Sequence, residues 1–213
     1  MSIDVKICGL SDQAAVACAV DGGAAMVGFV FFPASPRHLT PQQAAALTGD
    51  VPDNIIRVAL TVDADDALLA DIAATAGIDM LQLHGQETPE RVKAIRARYG
   101  MPVMKMLPIA AAADVAGPEA YEDVADRFLF DAKPPKDATR PGGNAEAFDW
   151  GLLKDNSCRK PWMLAGGLTA ENLAEAVKIS GAEAVDVSSG VEDAPGVKSI
   201  DKIREFLAVA NSL

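Results

Sequence analysis

Short β-type runs alternate with helical patterns along the whole chain, and this alternation restricts the fold more than any other feature of the sequence. The runs are IDVKIC (3–8), AMVGFVF (25–31), IIRVALTV (55–62), DMLQLH (79–84), PVMKML (102–107), RFLFDA (127–132), PWMLAG (161–166) and AEAVDVS (182–188). Between them lie segments such as SDQAAVACAVDG, TPERVKAIRARYG, TAENLAEAVKIS and KSIDKIREFLAVA, with apolar residues three and four apart. Thr40-Pro41-Gln42-Gln43 combines an N-cap, a proline at N1 and a capping-box glutamine. Thr88 and Thr169 read as further N-caps, and Gly77, Gly100 and Gly181 fall where helices should stop. Strict alternation implies parallel strands joined by right-handed crossovers. Eight such units predict a closed (β/α)8 TIM barrel, compact beside the ~250 residues usual for that fold. The competing doubly wound sheet usually carries a Gly-rich loop after its first strand, whereas here that turn is CGLSD. No linker or shift in composition divides the chain, so residues 1–213 are expected to form one domain.

Half of the residues are hydrophobic, enough for a well-filled core. The net charge of −11 argues against nucleic acid or an anionic membrane as a partner, since both demand a Lys/Arg footprint. An anionic substrate would have to be met by a few local cations or by backbone N–H donors. The cysteines, Cys8, Cys18 and Cys158, are odd in number and lack metal-site spacing, which favours a reducing compartment. Neither a signal peptide nor an apolar run of about 18 residues is visible, and a cytoplasmic protein is expected. The only histidines are His38 and His84, too few for chemistry built on several histidine ligands, and no metal or cofactor is expected. No long apolar stripe demands a partner, so a monomer or weak homodimer is expected.

A parallel barrel places its active site at the C-terminal ends of the strands. Polar groups from six strand ends meet there: Cys8-Gly9, the FFPASPRHLT loop with Arg37, QLHG with His84, Asp131-Ala132-Lys133, AGGLT with Gly166 and Gly167, and DVSSG with Asp186, Ser189 and Gly190. Buried strands rarely finish on a carboxylate such as Asp131 without a reason. By alternation Cys8 shares a face with Lys6, and Asp186 lies on the neighbouring strand, so Lys6 and Asp186 are expected to pair beneath the site. A cation there would lower the Cys8 thiol and favour thiolate; equally, Lys6 would serve only to satisfy a polar barrel layer. The small residues ending strands seven and eight allow backbone N–H groups to approach a phosphate. Prolines around Arg37 hold a guanidinium ready for a planar carboxylate, although a lone surface arginine is more often solvated. Cys8 by itself is as readily a small buried hydrophobe, and His84 an acid, a ligand or a satisfied polar group. The segment 132–148 is long enough to fold over the rim, with Gly142 and Gly143 as its hinges.

On VKICGL, GFVFFPASPRHLT, LQLHG, FDAKPP…PGGNAEAFDW, LAGGLTAENLAEAV and VDVSSGVEDAPGVKSIDKI the sequence resembles the phosphoribosylanthranilate isomerases of tryptophan biosynthesis, in order and from the first strand to the last helix. The resemblance implies an Amadori rearrangement of N-(5′-phosphoribosyl)anthranilate to 1-(o-carboxyphenylamino)-1-deoxyribulose 5-phosphate. It implies Asp131 as general acid, Cys8 as general base and Arg37 as the ligand of the anthranilate carboxylate. Gly166, Gly167, Ser189 and Gly190 correspond to the phosphate site, and Asp186 and His84 to contacts with sugar hydroxyls. Two other functions are weighed against it. An indole-3-glycerol phosphate synthase-like lyase would call for a lysine and glutamate constellation that is not present in order. A non-catalytic barrel sensing a phosphorylated ligand would not require both Cys8 and Asp131. The related aminoaldose isomerisation of histidine biosynthesis usually pairs two aspartates, and Cys8 stands in place of the first.

Overall fold

The computed structural model describes residues 3–133, 148–154, 156 and 158–213. Eight parallel strands close into a barrel in sequence order. They are β1 (Asp4–Cys8), β2 (Met26–Phe31), β3 (Ile56–Thr61), β4 (Met80–Leu83), β5 (Val103–Ile109), β6 (Arg127–Ala132), β7 (Trp162–Leu164) and β8 (Ala184–Val187). Closure comes from β1 against β8, where Lys6 stands opposite Asp186. Each strand lies within two or three residues of its expected bounds, because β-branched and apolar runs bounded by turn residues leave little freedom in where a buried strand can sit.

The helices are α1 (Gln13–Asp21), α2 (Pro41–Thr48), α3 (Asp66–Thr75), α4 (Pro89–Tyr99), α5 (Leu173–Ser180) and α6 (Ile200–Ala210). Thr40 forms its capping box with Gln43, and Thr88 caps α4 by accepting from the Arg91 N–H. Gly100 and Gly181 end α4 and α5 in the left-handed region, at φ 65° and 72°. Two expectations are corrected. Thr169 is not the cap of α5, which begins at Leu173; Asn172 instead ties the preceding turn by bonding the Thr169 N–H and the Gly167 carbonyl. After β5 and β6 the described connections contain 3-10 segments, Ala112–Ala120 and Trp150–Leu153, where α-helices were expected. Gly117 and Pro118 in the first of these weaken an α-helical ladder.

Two apolar layers follow from strand alternation. Outward residues such as Val27, Phe29, Phe128 and Phe130 pack under the helices. Inward ones, including Met26, Val58, Met80, Met104, Met106, Leu129 and Met163, fill the barrel. Methionine suits this narrow interior because its flexible thioether adapts to irregular gaps. Above that apolar fill the inward face turns polar, which sets the floor of the site. Beyond β8 a 3-10 turn, Ser189–Val191, leads into an antiparallel pair outside the barrel, β9 (Glu192–Ala194) and β10 (Val197–Lys198). No described helix is long and apolar enough to cross a membrane. Residues 134–147 lie outside the described set, and with them most of the expected cover and the Gly142-Gly143 hinge.

Candidate active site

Cys8 ends β1 and is nearly inaccessible, packed against Val30 and Leu60. Two residues below it on the same inward face, Lys6 is fully buried and donates to Asp186 Oδ1 at 2.7 Å. Glycine at position 28 makes room for both groups. A Cβ there would lie 3.0 Å from Cys8 Sγ and 3.1 Å from Lys6 Nζ, so the thiol and the ammonium flank the same small space. The expected ion pair is therefore present, and Lys6 pulls the thiol down as expected, but the net shift of the thiol is upward. Burial pushes the Cys8 thiol above its ordinary value, and the Lys6 charge pulls against that without reversing it. Asp186 adds to the upward push, and so cancels part of what Lys6 does. Lys6 itself stays charged: burial lowers it, but Asp186 and the neighbouring thiol raise it further.

Asp131 is the second-last residue of β6 and is largely buried. Its Oδ1 accepts from the Ala132 N–H at 2.8 Å, and its Oδ2 lies 3.5 Å from His84 Nε2. His84 Nδ1 meets Gln82 Nε2 at 3.0 Å. With the amide nitrogen donating, the imidazole proton sits on Nε2 and points toward Asp131. Gly166 is required by this arrangement, with φ +90° and a Cβ position only 2.8 Å from the Ala132 nitrogen and 3.1 Å from Asp131 Oδ1.

Gly166 and Gly167 both occupy positive φ after β7, at +90° and +63°. Ser189 and Gly190 open the 3-10 turn after β8, whose first N–H groups have no partner within the turn. Gly190 is packed against β7's loop so closely that a Cβ would fall 1.8 Å from the Leu168 carbonyl oxygen. The two stretches thus adjoin, with half-exposed backbone at Gly166, Gly167, Ser189 and Gly190.

Arg37 is buried, at 4 % exposure, rather than waving in solvent. Its stem crosses Gly9, where a Cβ would lie 2.4 Å from Arg37 Cδ, so the residue after the thiol carries the guanidinium. Glu192 grips it through both oxygens, Nε to Oε1 at 2.6 Å and Nη2 to Oε2 at 2.8 Å. Lys198 adds a bond to Glu192 Oε1 at 2.9 Å. Burial pushes the Glu192 carboxyl up, but the Arg37 bonds and the Lys198 charge outweigh it and hold the group below the ordinary range. The rigidity credited to prolines around Arg37 comes largely from this grip.

All nine expected site residues therefore stand at one end of the barrel, Cys8, Asp131 and Asp186 on β1, β6 and β8 and the others in the loops that follow β2, β4, β7 and β8. Sequence reading missed Glu192 and Lys198, although both lie inside VDVSSGVEDAPGVK, because a charge in a loop usually means only a solvated surface. It also missed Gln82, whose amide bonds His84 Nδ1, and the buried pair Lys105–Glu87 at 2.9 Å. Lys105 donates as well to the Leu83 and Gly85 carbonyls, which fixes the backbone on either side of His84.

Comparison with known proteins bears on this geometry. The family model for N-(5'phosphoribosyl)anthranilate (PRA) isomerase matches residues 5–209. An N-(5'-phosphoribosyl)anthranilate isomerase of Paramagnetospirillum magneticum is 57 % identical over 210 residues, covering 99 % of this chain and 98 % of the relative. That of Paracoccus denitrificans is 54 % identical, covering 100 % and 99 %. Among solved structures, the phosphoribosyl anthranilate isomerase of Thermotoga maritima superposes with a TM-score of 0.88 at 33 % identity, covering 99 % of this chain and 100 % of the other. Another phosphoribosyl anthranilate isomerase, solved with reduced 1-(o-carboxyphenylamino)-1-deoxyribulose 5-phosphate, gives a TM-score of 0.84 at 31 % identity over the same shares. The residues gathered at the rim and the match along nearly the whole chain lead to one family: the chain belongs to the N-(5'-phosphoribosyl)anthranilate isomerases, enzymes of tryptophan biosynthesis.

Proposed function

We propose that this chain performs the Amadori rearrangement of N-(5′-phosphoribosyl)anthranilate with Asp131 as general acid and Cys8 as general base. The observation that carries the reading is their placement. Both side chains face the mouth of one closed barrel, on strands separated by β7 and β8 in one direction and by β2 to β5 in the other. A furanose held between them presents its ring oxygen to one group and its C2 hydrogen to the other. Asp131 gives a proton to the ring oxygen, the ring opens, and C1 becomes an iminium carbon. Cys8 thiolate removes the proton from C2, and the electron pair neutralises the iminium to give an enolamine. Tautomerisation adds a proton at C1 and releases that of the 2-hydroxyl, leaving the ketone. Moving protons in this way needs one acid and one base in the right places.

The remaining residues serve to hold the substrate. Arg37 offers its outer edge to the aryl carboxylate, and the N–H groups around Gly166-Gly167 and Ser189-Gly190 cradle the phosphate. Asp186 and His84 meet sugar hydroxyls. His84, through Nε2, also keeps Asp131 in place. We further propose that residues 1–213 act as one barrel domain, as a monomer or weak homodimer in the cytoplasm. A dimeric phosphoribosylanthranilate isomerase of Thermotoga maritima has been solved as monomers generated from it, which supports leaving both forms in the reading.

The test follows the fluorescence of freshly generated phosphoribosylanthranilate after the purified protein is added. Rapid loss that Asp131→Asn abolishes supports both activity and acid. Rapid loss that survives the substitution removes Asp131 from its role, and loss at the spontaneous rate refutes the enzyme reading.

A further inference from the structure

We propose that Glu192 and Lys198, on the β9–β10 pair outside the barrel, are positioning residues that aim Arg37 and give the site the net positive charge with which it selects an aryl carboxylate. The inference rests on Arg37 being the ligand of that carboxylate.

A guanidinium has five N–H donors in a planar fork. Glu192 occupies the Nε–Nη2 edge of Arg37 through both of its oxygens. That leaves the Nη1–Nη2 edge, which has no hydrogen-bond partner among the described residues. The grip thus turns a flexible side chain into a fixed plate with one edge spent and one edge offered to a second planar anion. Charge raises a difficulty that Lys198 resolves. Arg37 and Glu192 alone are neutral together and would attract a carboxylate weakly. Lys198, with no side-chain exposure, bonds the same Glu192 oxygen that receives Arg37 Nε; burial pushes its ammonium below the ordinary value against the pull of Glu192, and in its charged form it brings the buried group to a net +1.

The cluster is anchored as a unit. Lys198 Nζ also donates to the Ser188 carbonyl at 2.8 Å, which ties it to the end of β8. The Gly196 N–H donates to Glu192 Oε2 at 3.2 Å, and a Cβ at Gly196 would lie 2.6 Å from the Pro36 carbonyl oxygen. The β9–β10 turn is therefore seated directly on the loop that carries Arg37. An exposed two-stranded hairpin has no packing need for a buried Arg–Glu–Lys group, because apolar residues of similar size generally do at least as well for stability. What apolar residues cannot supply is an aimed positive charge beside the thiol.

The experiment compares two inhibitors: reduced 1-(o-carboxyphenylamino)-1-deoxyribulose 5-phosphate, and its phenylamino counterpart lacking the carboxylate. Wild type should prefer the first by about tenfold or more, the range of one charge-assisted bond pair. Lys198→Met, which removes the charge, and Glu192→Gln, which releases the aim of Arg37 although it adds positive charge, are each checked for folding by thermal melting and should lose most of this preference. Their KM should rise about tenfold, more than kcat falls, and Lys198→Arg should restore both. Either variant, folded and still discriminating as wild type does, overturns the role of the hairpin. Arg37→Met separates this from the parent reading. If Arg37→Met loses the preference while both hairpin variants keep it, the triad is refuted and the ligand stands. If Arg37→Met keeps the preference, the carboxylate is bound elsewhere and the inference falls with it.

Discussion

The two sides of the barrel mouth are built differently. On the β1–β2–β8 side, Cys8 is surrounded by Lys6, Asp186, Arg37, Glu192 and Lys198, all buried and linked by ion pairs of 2.6–2.9 Å. On the β4–β6–β7 side, among the described residues, Asp131 has one backbone N–H, one imidazole and the space left by Gly166, and the nearest buried ion pair, Lys105–Glu87, is spent on the backbone around His84. The difference matches the opposite demands that the proposed roles of acid and base place on the two groups. A thiol shut away from water ionises only if cations are brought in with it, and those cations then need counter-charges of their own. A group that must arrive carrying a proton is best left with few cations beside it. Crowding on one side and sparseness on the other are thus two solutions to the same problem of proton transfer in a closed space.

The largest effects should come from the two ends of this contrast. Asp131→Asn and Cys8→Ala are each expected to lower kcat by about 10²–10⁴, the usual contribution of a positioned acid or base, with the fold intact by circular dichroism. Steady-state rates and melting curves check both. If one variant keeps near-normal turnover, the roles are not divided as the geometry suggests.

Stability should separate the sides next. Lys6→Met strands a buried Asp186 and is expected to cost about 3–5 kcal/mol in urea unfolding. Pairing Lys6→Met with Asp186→Leu should recover most of that loss but none of the activity. His84→Phe, on the other side, removes the contacts to Asp131 and to the Gln82 amide but strands no buried ion-pair partner, and should cost less, about 1–3 kcal/mol. Equal losses at Lys6 and His84 would mean that the charge-dense side is no more tightly coupled than the other.

The pH profile tests the same side through the thiol. With Cys8 as the proposed base, activity needs thiolate, and its fraction grows as pH rises through the thiol value. Burial pushes Cys8 above the ordinary ~8.5, so kcat/KM should still be rising at pH 8.5. Removing the Lys6 charge takes away the main downward pull, and Lys6→Met should move the basic limb further up. A profile already flat at pH 7.5 would mean that the thiol is ionised before substrate arrives, or that it is not the base.

Much of this contrast was readable before any coordinates. Strand positions, the face shared by Lys6 and Cys8, and the Lys6–Asp186 contact follow from alternation and barrel closure, which act at short range or by fixed topology. The downward pull of Lys6 on Cys8 was readable, but the net upward shift was not, because it depends on how completely the barrel excludes water and on Asp186 cancelling part of Lys6. Glu192 was hidden for another reason. It lies 155 positions from Arg37, and nothing local in GVEDAPG distinguishes a buried clamp from a solvated turn. Thr169 misled because its spacing suits a cap, while Asn172 made a better local bond to the same turn.

The smallest expected effect falls at Gly28 and sharpens the comparison by what it leaves alone. Gly28→Ala adds a methyl 3.0 Å from Cys8 Sγ and 3.1 Å from Lys6 Nζ, so both must yield by a few tenths of an ångström. Overpacking of this kind costs about 1–3 kcal/mol. Because φ at Gly28 lies outside the left-handed region, the cost is contact and not backbone strain. The shift acts on the base and its cation but reaches neither Asp131 nor Arg37. The expected outcome is a lower kcat and a displaced basic limb at unchanged preference for the carboxylated inhibitor. Loss of that preference in Gly28→Ala would show that the thiol pair and the carboxylate clamp move together, joined through Gly9 in one mechanical unit.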